Sequence, residues 1–195
     1  MARLNLPCDE STVRALKVGD FVELYGRIIT GRDSAHHWLI EEMRQQVLPY
    51  MQGSVIYHVG PVVKTYEDGT HEFVAAGPTT SAREEPYQAD VIGKYGLRGV
   101  IGKGGMGPKT LKGLQEHGAV YFHAVGGAAQ LLAQAVKKVE TVFQLAEFGV
   151  PEALWVIHVE DFPVVVTMDS HGNSLHAEVD KASKAKLDQL LGLTG

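Results

Sequence analysis

The chain has 195 residues, 45% of them hydrophobic and 21% charged, so it can bury a core and is expected to form one domain over residues 1–195. The formal net charge of −5 argues against a dedicated nucleic-acid binder, because such proteins present a basic face. The polar N-terminal segment argues against a signal peptide and the single cysteine, Cys8, against an intrachain disulfide, so we expect a cytoplasmic protein.

The first half of the chain combines short β-forming runs with one helical run. The run FVELYGRIIT alternates and is rich in β-formers, whereas DSAHHWLIEEMRQQ has apolar residues at helical spacing and begins beside Asp33 and Ser34, either of which can cap it. The predicted elements are strands at residues 21–30, 54–63 and 72–77 and a helix at residues 33–46.

From residue 73 onward the order becomes strand, glycine-containing loop and helix. This order occurs three times, in residues 73–96, 97–118 and 119–136. The third segment is the longest apolar run, but His123 and two glutamines interrupt it, so no membrane span is predicted.

The predicted fold class is α/β. Residues 153–173 are predicted as two short strands broken at residues 161–163, and residues 178–192 as a closing amphipathic helix. Alternating strands and helices imply a parallel sheet with right-handed crossovers. The early strands follow one another closely, so they are expected to form an antiparallel layer that packs on this sheet or continues it.

The segment VIGKGGMGPKT contains Gly102, Gly104 and Gly107 in the spacing G-x-G-x-x-G. A dinucleotide site would need this loop in the first strand–helix unit and an acidic residue about 20 positions later, and both are missing, so NAD binding is not predicted. Glycines at a helix N-terminus let backbone N–H groups approach an anion, and Lys103 can join them. The alternative is a tight turn with Lys103 in solvent.

Three strand-to-helix loops each carry a cation: Arg32 in TGRDSAH, Arg83 in GPTTSAR and Lys103. Thr79 and Thr80 precede Arg83, and either hydroxyl can simply cap a helix. Ligands of open α/β sheets bind at the carboxyl ends of the strands, where these loops are expected to meet. Arginine and lysine together suit a small dianion such as a dicarboxylate.

Four other polar residues have structural explanations that compete with functional ones. His36 and His37 in the predicted helix can be packed or surface histidines, and Asp161 and Asp169 are interpreted as turn residues at strand ends. His36 is kept as a candidate because it lies in the first turn after Arg32.

Together, GPTTSAR, YGLRGVIGKGGMG, AVYFHAVGGAA, EFGVPEALWVIHVEDFPVVVTMDSHGN and TGRDSAHH resemble the β subunit, or C-terminal domain, of the iron–sulfur hydro-lyases. This family comprises class I fumarate hydratases and L(+)-tartrate dehydratases, and the resemblance extends from about residue 10 to 175. It implies a swivelling β/β/α domain with three layers: a mainly parallel central sheet, an antiparallel sheet layer and helices. It also implies a partner α subunit that holds a [4Fe-4S] cluster, in an α2β2 assembly with the active site between subunits.

The resemblance further implies roles for individual residues. Thr79 would be the catalytic base, with its acidity raised by Arg83, while Lys103 would stabilise the charge of the intermediate and the partner's cluster would act as a Lewis acid. The residues expected to bind substrate are Arg32, Thr80, Gly104, Gly105 and His36, and no metal ligand is expected in this chain.

The predicted function is reversible hydration of fumarate to (S)-malate as one half of such a hydro-lyase. One departure bears on the substrate: many fumarate hydratases of the family read G-P-T-T-A-G-R-M, whereas this chain has Ser81-Ala82-Arg83-Glu84 after the second threonine. Serine there is common in tartrate-type chains, so tartrate dehydration to oxaloacetate is the first alternative. A non-catalytic dicarboxylate-binding module is the second.

Overall fold

Nine strands and eight α-helices lie along residues 2–192, the part of the chain that the computed structural model describes. Residues 1 and 193–195 of the predicted domain lie outside it. The strands are β1 (Ala2–Leu6), β2 (Phe21–Thr30), β3 (Val55–Tyr57), β4 (Val62–Thr65), β5 (His71–Ala75), β6 (Gly99–Gly102), β7 (Val120–His123), β8 (Val136–Phe143) and β9 (Leu154–Met168). The helices are α1 (Glu10–Arg14), α2 (Asp33–Glu41), α3 (Leu48–Met51), α4 (Gln88–Tyr95), α5 (Pro108–His117), α6 (Ala129–Gln134), α7 (Leu145–Phe148) and α8 (Leu175–Leu190).

Five strands form the parallel part of a seven-stranded sheet, in the order β1-β2-β3-β6-β7. Helices lie in the connections from β2 to β3, from β3 to β6 and from β6 to β7, as parallel neighbours require. Their apolar faces cover one side of the sheet, where Leu39 of α2, Val91 of α4 and Leu114 of α5 are fully buried with Ile56 and Val100 of the strands. The parallel sheet predicted from strand–helix alternation is therefore present.

The long strand β9 runs antiparallel to β2, β7 and β8. One edge of β9 pairs with β2, and the other edge pairs first with β8 and then with β7, so the pairings β2–β3–β6–β7–β9–β2 close a ring. The large side chains Tyr57, Phe122, Trp155 and Phe162 are fully buried in the core cluster formed by these strands. The sheet is thus mixed, and its antiparallel strands continue the parallel ones.

Several predicted elements differ from the observed ones. The two strands predicted in residues 153–173 form one strand, β9. The chain bends at Asp161, with φ of 52°, but pairing with β2 resumes at Phe162. The predicted strand at residues 54–63 is divided into β3 and β4.

The expected early antiparallel layer is wrong for β1, β2 and β3, which are mutually parallel because helices connect them. β4 and β5 form a separate antiparallel pair. Between residues 2 and 192, no helix is both long and apolar enough to cross a bilayer.

Candidate functional site

The carboxyl ends of β2, β3, β6 and β7 lie side by side at one edge of the sheet. Arg32 comes two residues after β2, His58 directly after β3 and Lys103 directly after β6, and β7 ends at His123. Two of the three predicted cationic loops therefore start at this edge, the expected position for a ligand in an α/β sheet.

The third loop reaches the same edge by a different route. It follows β5 of the small antiparallel pair, and its backbone inserts between the ends of β3 and β6: the Thr79 N–H donates to the His58 carbonyl at 2.8 Å, and the Lys103 N–H donates to the Thr79 carbonyl at 3.3 Å. The Ser81 N–H then donates to the Lys103 carbonyl at 3.1 Å. These bonds place Thr79, Thr80 and Lys103 next to one another.

The polar groups of this segment are open to a ligand. Thr79 and Lys103 are half-buried and Thr80 is exposed. Within residues 2–192 the Lys103 ammonium makes no ion pair, and neither threonine hydroxyl makes a hydrogen bond to another side chain. The edge thus presents a positive charge and two hydroxyl groups without internal partners.

Arg32 is half-buried at the start of α2, where its guanidinium lies against the backbone of Gly60. A Cβ at Gly60 would lie 2.4 Å from Nη1 of Arg32, so glycine is required for this approach. Nε of Arg32 lies 3.3 Å from a carboxylate oxygen of Glu152. The Glu152 carboxylate also accepts the Ser34 N–H at 3.2 Å, so the predicted cap by the Asp33 or Ser34 side chain is wrong.

Arg83 lies in a 3-10 turn, Ser81–Glu84, and its side chain is 56% exposed. Its Nη1 lies 3.6 Å from a carboxylate oxygen of Asp33, which directly follows Arg32. This pair connects the first and third loops at the surface. Because both partners are largely exposed, the ion pair itself is weak.

The N-terminus of α5 does not form the predicted anion cradle, because the chain supplies its own anion there. The Glu85 carboxylate accepts the N–H groups of Gly107 at 2.7 Å, Lys109 at 3.0 Å and Thr110 at 3.1 Å, and the Thr110 hydroxyl at 2.6 Å. The hypothesis that a substrate carboxylate occupies this helix end is therefore wrong for the structure as it stands.

Each glycine of the loop is required for its own structural reason. A Cβ at Gly102 would lie 1.9 Å from Oγ of Ser81, and one at Gly107 would lie 2.6 Å from the Glu85 carboxylate. Gly104 and Gly105 have φ of +81° and +72°, a region that favours glycine. Gly104 is exposed at the site, whereas Gly105 is buried against the ring of His176.

His36 is not at the surface, contrary to its expected contact with substrate. It is fully buried, its Nδ1 lies 2.8 Å from the Arg32 carbonyl and its Nε2 lies 2.9 Å from Oε1 of Gln88. Burial lowers the pKa of the ring, which favours neutral imidazole. Both ring nitrogens are used inside the protein, so His36 can act only on the position of the loop that carries Arg32.

The sequence analysis missed four buried polar residues behind the site: His58, Gln88, Tyr121 and Glu84. Burial raises the pKa of Glu84 to about 8, and the neighbouring Asp33 carboxylate adds to this rise. No local pattern marks these residues, because their partners are distant in sequence.

Cys8 lies at the opposite edge of the sheet, where its N–H donates to the Gly53 carbonyl at 2.8 Å, just before β3 begins. Burial raises the pKa of its thiol to about 11. Among residues 2–192, no group of three or more His, Cys, Asp or Glu side chains is placed to hold a metal ion. These residues do not fit a [4Fe-4S] cluster, which needs three or four thiolates.

Asp169 directly follows β9 and lies at a turn, in agreement with its interpretation from the sequence, whereas Asp161 lies within β9 and not at a strand end. Asp161 sits at the bend of β9 and accepts a hydrogen bond from the Tyr25 hydroxyl. Oδ1 of Asp169 accepts the N–H groups of His171 at 2.9 Å and Asn173 at 3.1 Å.

The chain is similar to known proteins along nearly its whole length. The sequence profile described as "Fumarase C-terminus" matches residues 2–179. A protein of Geobacillus stearothermophilus named "Putative fumarate hydratase class I" is 54% identical over 186 residues, which are 95% of this chain but 35% of that protein. The chain thus spans about a third of the length of this relative.

Relatives with another name align over nearly their whole length. A "Putative L(+)-tartrate dehydratase subunit beta" of Methanocaldococcus jannaschii is 45% identical over 93% of this chain and 94% of its own. The "L(+)-tartrate dehydratase subunit beta" of Escherichia coli K12 is 39% identical over 96% of this chain and 92% of its own. By its profile match and by these identities, the chain belongs to the Fumarase C-terminus family.

Proposed function

We propose that this chain is the β subunit of a two-subunit iron–sulfur hydro-lyase that reversibly hydrates fumarate to (S)-malate. The 54% identity to a protein named as a fumarate hydratase supports fumarate as the substrate. The relatives named as tartrate dehydratase β subunits keep L(+)-tartrate dehydration to oxaloacetate as the alternative. Both reactions move a proton and a hydroxyl group on neighbouring carbons of a four-carbon dicarboxylate.

The observation that carries the proposal is the group of Thr79, Thr80 and Lys103, held side by side at the carboxyl edge without internal partners. An ammonium group left without a counter-ion in a half-buried position favours an anionic ligand. Arg32 precedes α2, and Arg83, in the 3-10 turn after Thr80, pairs with Asp33 next to it; both guanidinium groups can bind carboxylates in a bidentate manner.

In the proposed reaction Thr79 exchanges the proton at the carbon beside a substrate carboxylate. Lys103 and Arg83 stabilise the negative charge that develops on that carboxylate when the carbon loses its proton. Arg32 and Thr80 hold the second carboxylate, with Gly104 leaving room for close approach of the backbone. A threonine hydroxyl is a weak base in water, so the cations around it are needed to stabilise its deprotonated form.

The cluster in this proposal belongs to a partner α subunit, since the residues of this chain do not fit one. The further parts of the proposal are an α2β2 assembly in the cytoplasm and a fold of the swivelling β/β/α type. The mixed sheet, with helices on one side and the small β4–β5 pair apart, supports that fold type.

The test is reconstitution with the α subunit, sought as the product of a neighbouring reading frame with three spaced cysteines. The anaerobically reconstituted pair is assayed with fumarate, L(+)-tartrate and mesaconate, and we expect fumarate to be turned over fastest. Preference for tartrate would select the alternative reaction. Dicarboxylate binding without turnover of any of the three would select the binding module.

Variants of the reconstituted pair test the named residues. We expect Thr79→Ala and Lys103→Ala each to lower turnover by at least about a hundredfold, the scale of losing one positioned catalytic group. Lys112→Ala is the matched control, because Lys112 is 75% exposed on α5 and forms an exposed ion pair with Glu116. Turnover near that of the control would remove the substituted residue from the mechanism.

A further inference from the structure

A chain of hydrogen bonds runs through the interior directly behind the proposed site. Oε1 of Gln88, on α4, lies 2.9 Å from Nε2 of His36 and 2.7 Å from Nε2 of His58. Nδ1 of His58 lies 2.8 Å from Oγ of Ser81, and that Oγ lies 2.9 Å from the hydroxyl of Tyr121. All five residues are completely inaccessible to solvent.

The partners at the two ends of this chain belong to the loops of the proposed site. Nδ1 of His36 lies 2.8 Å from the carbonyl of Arg32, and the backbone N–H of Gly105 lies beside the hydroxyl of Tyr121 and counteracts the rise that burial causes in the pKa of that hydroxyl. In the middle, Ser81 directly follows Thr80. The buried chain therefore touches each of the three loops that carry Arg32, Thr79 and Lys103.

The hydrogen bond between His36 and the Arg32 carbonyl determines which ring nitrogens carry protons. A carbonyl only accepts, so Nδ1 of His36 must carry the proton, and the neutral ring then has a bare Nε2 that needs a donor. Oε1 of Gln88 cannot donate, while the other amide atom, Nε2, is buried without a partner. Turning the amide by half a rotation places its NH2 group against His36 and His58, so that one N–H donates to each ring.

The same logic fixes the rest of the chain. With Nε2 of His58 accepting from Gln88, Nδ1–H of His58 donates to Ser81, whose hydroxyl then donates to Tyr121. Burial lowers the pKa of both rings, and their mutual proximity lowers that of His58 further. The charge of Asp33 favours protonation of His36, but Asp33 lies at the surface, 47% exposed.

We propose that Gln88 is a positioning residue, whose amide donates to His36 and His58 at once and thereby sets the distance between the loops that carry Arg32, Thr79 and Lys103. Apart from this chain, the loops are joined to one another by the backbone bonds of Thr79 and Lys103 and by the exposed Arg83–Asp33 pair. Each neutral ring accepts through Nε2 and donates through Nδ1. The hydrogen bonds are therefore donated outward from the Gln88 amide, through His58 to Ser81 and through His36 to Arg32. The effect on turnover rests on the proposed function, whereas the protonation pattern does not.

The protonation pattern is tested on the unmodified chain by NMR of 15N-labelled histidine rings. We expect both His36 and His58 to be neutral at neutral pH, with the proton on Nδ1 and none on Nε2. An Nε2–H tautomer or an imidazolium at either residue would overturn the inferred amide orientation and with it the proposal. This measurement does not depend on the partner subunit or on activity.

The positioning role is tested with Gln88→Leu and Gln88→Glu in the reconstituted pair. Leucine removes both donors, and a carboxylate offers only acceptors to rings whose Nε2 is bare, so we expect both variants to lower kcat by about ten- to a hundredfold. Gln52→Leu, at an exposed glutamine on the opposite edge, is the control. If Gln88→Leu folds with unchanged kcat, the positioning role is overturned.

Two readouts separate a positioning role from loss of the fold and from failure of the proposed function. The Ser81→Ala variant removes only a hydroxyl, and we expect it to lower kcat with the same near-ultraviolet circular dichroism as the unmodified chain. An unmodified pair without activity would refute the hydro-lyase proposal while the NMR result stands. A normal kcat in Ser81→Ala would refute the proposed link from His58 to the Thr79 loop.

Discussion

The Glu85 carboxylate caps α5 from a different segment of the chain, and its removal gives the sharpest test of the site geometry. Glu85→Ala deletes the acceptor for three backbone N–H groups and for the hydroxyl of the fully buried Thr110. Alanine cannot reach the helix end, and the Thr110 hydroxyl is left without its partner.

The magnitude follows from these contacts. Loss of a helix cap costs about 1 kcal/mol, with an upper range near 2 kcal/mol, and an unsatisfied buried hydroxyl adds about 1 kcal/mol. We therefore expect Glu85→Ala to lower the free energy of unfolding by about 2–3 kcal/mol. For a chain of this length that corresponds to a fall in Tm of about 4–12 °C.

The assay is urea denaturation followed by tryptophan fluorescence, which reports on the fully buried Trp155. Glu116→Ala is the matched control on the same helix, since Glu116 is 54% exposed and forms an exposed ion pair with Lys112 at 3.5 Å. An exposed pair of this kind contributes less than about 1 kcal/mol. If Glu85→Ala is no less stable than Glu116→Ala, the carboxylate does not hold the helix end, and a substrate anion regains that position.

Two further predictions concern the same edge. Because the folded chain keeps a proton on Glu84 up to a pKa of about 8, whereas the unfolded chain loses it near the ordinary value of 4.5, stability should fall as the pH rises between these values. Urea midpoints measured across that range should fall in the unmodified chain and less in Glu84→Gln; equal slopes would refute the raised pKa. Gly105→Ala should be less stable than Gly127→Ala by at least about 1 kcal/mol, since both glycines have positive φ but only a Cβ at Gly105 meets a neighbour, the His176 ring at 2.3 Å. Equal melting temperatures would show that the ring moves aside at little cost.

Local signals in the sequence predicted the elements whose ends are set locally. The strand predicted at residues 21–30 has the observed bounds because the segment is rich in β-forming residues, and α4 ends before Gly96 because this glycine adopts the left-handed conformation that closes a helix. The strand β8, at the edge of the sheet, was missed because its sequence VKKVETVF contains many polar residues and follows a helix without a turn signal. Its partner β9 lies well beyond it in the chain.

In the candidate site, too, features set by local sequence could be predicted and features set by distant residues could not. Position alone placed Arg32 and Lys103 correctly after β2 and β6, because parallel strands end at a common edge. Nothing in the sequence near Gly107 indicated that Glu85, 22 residues earlier, takes the helix end. The role of His36 likewise depends on Gln88, 52 residues later, so its burial could not be derived from the helix that contains it.

The closure of the strand ring has a consequence for how the protein is made. β2 pairs along one whole edge with β9, so that Phe21 lies opposite Val165, and β9 is the last strand of the described chain. At ribosomal rates, β9 is synthesised roughly 7 to 27 s after β2. Throughout that interval β2 presents unpaired backbone groups that can recruit strands of other nascent chains. Ring closure is therefore a late folding step, and substitutions in β9 should reduce the yield of soluble protein more than equally destabilising substitutions in the helices.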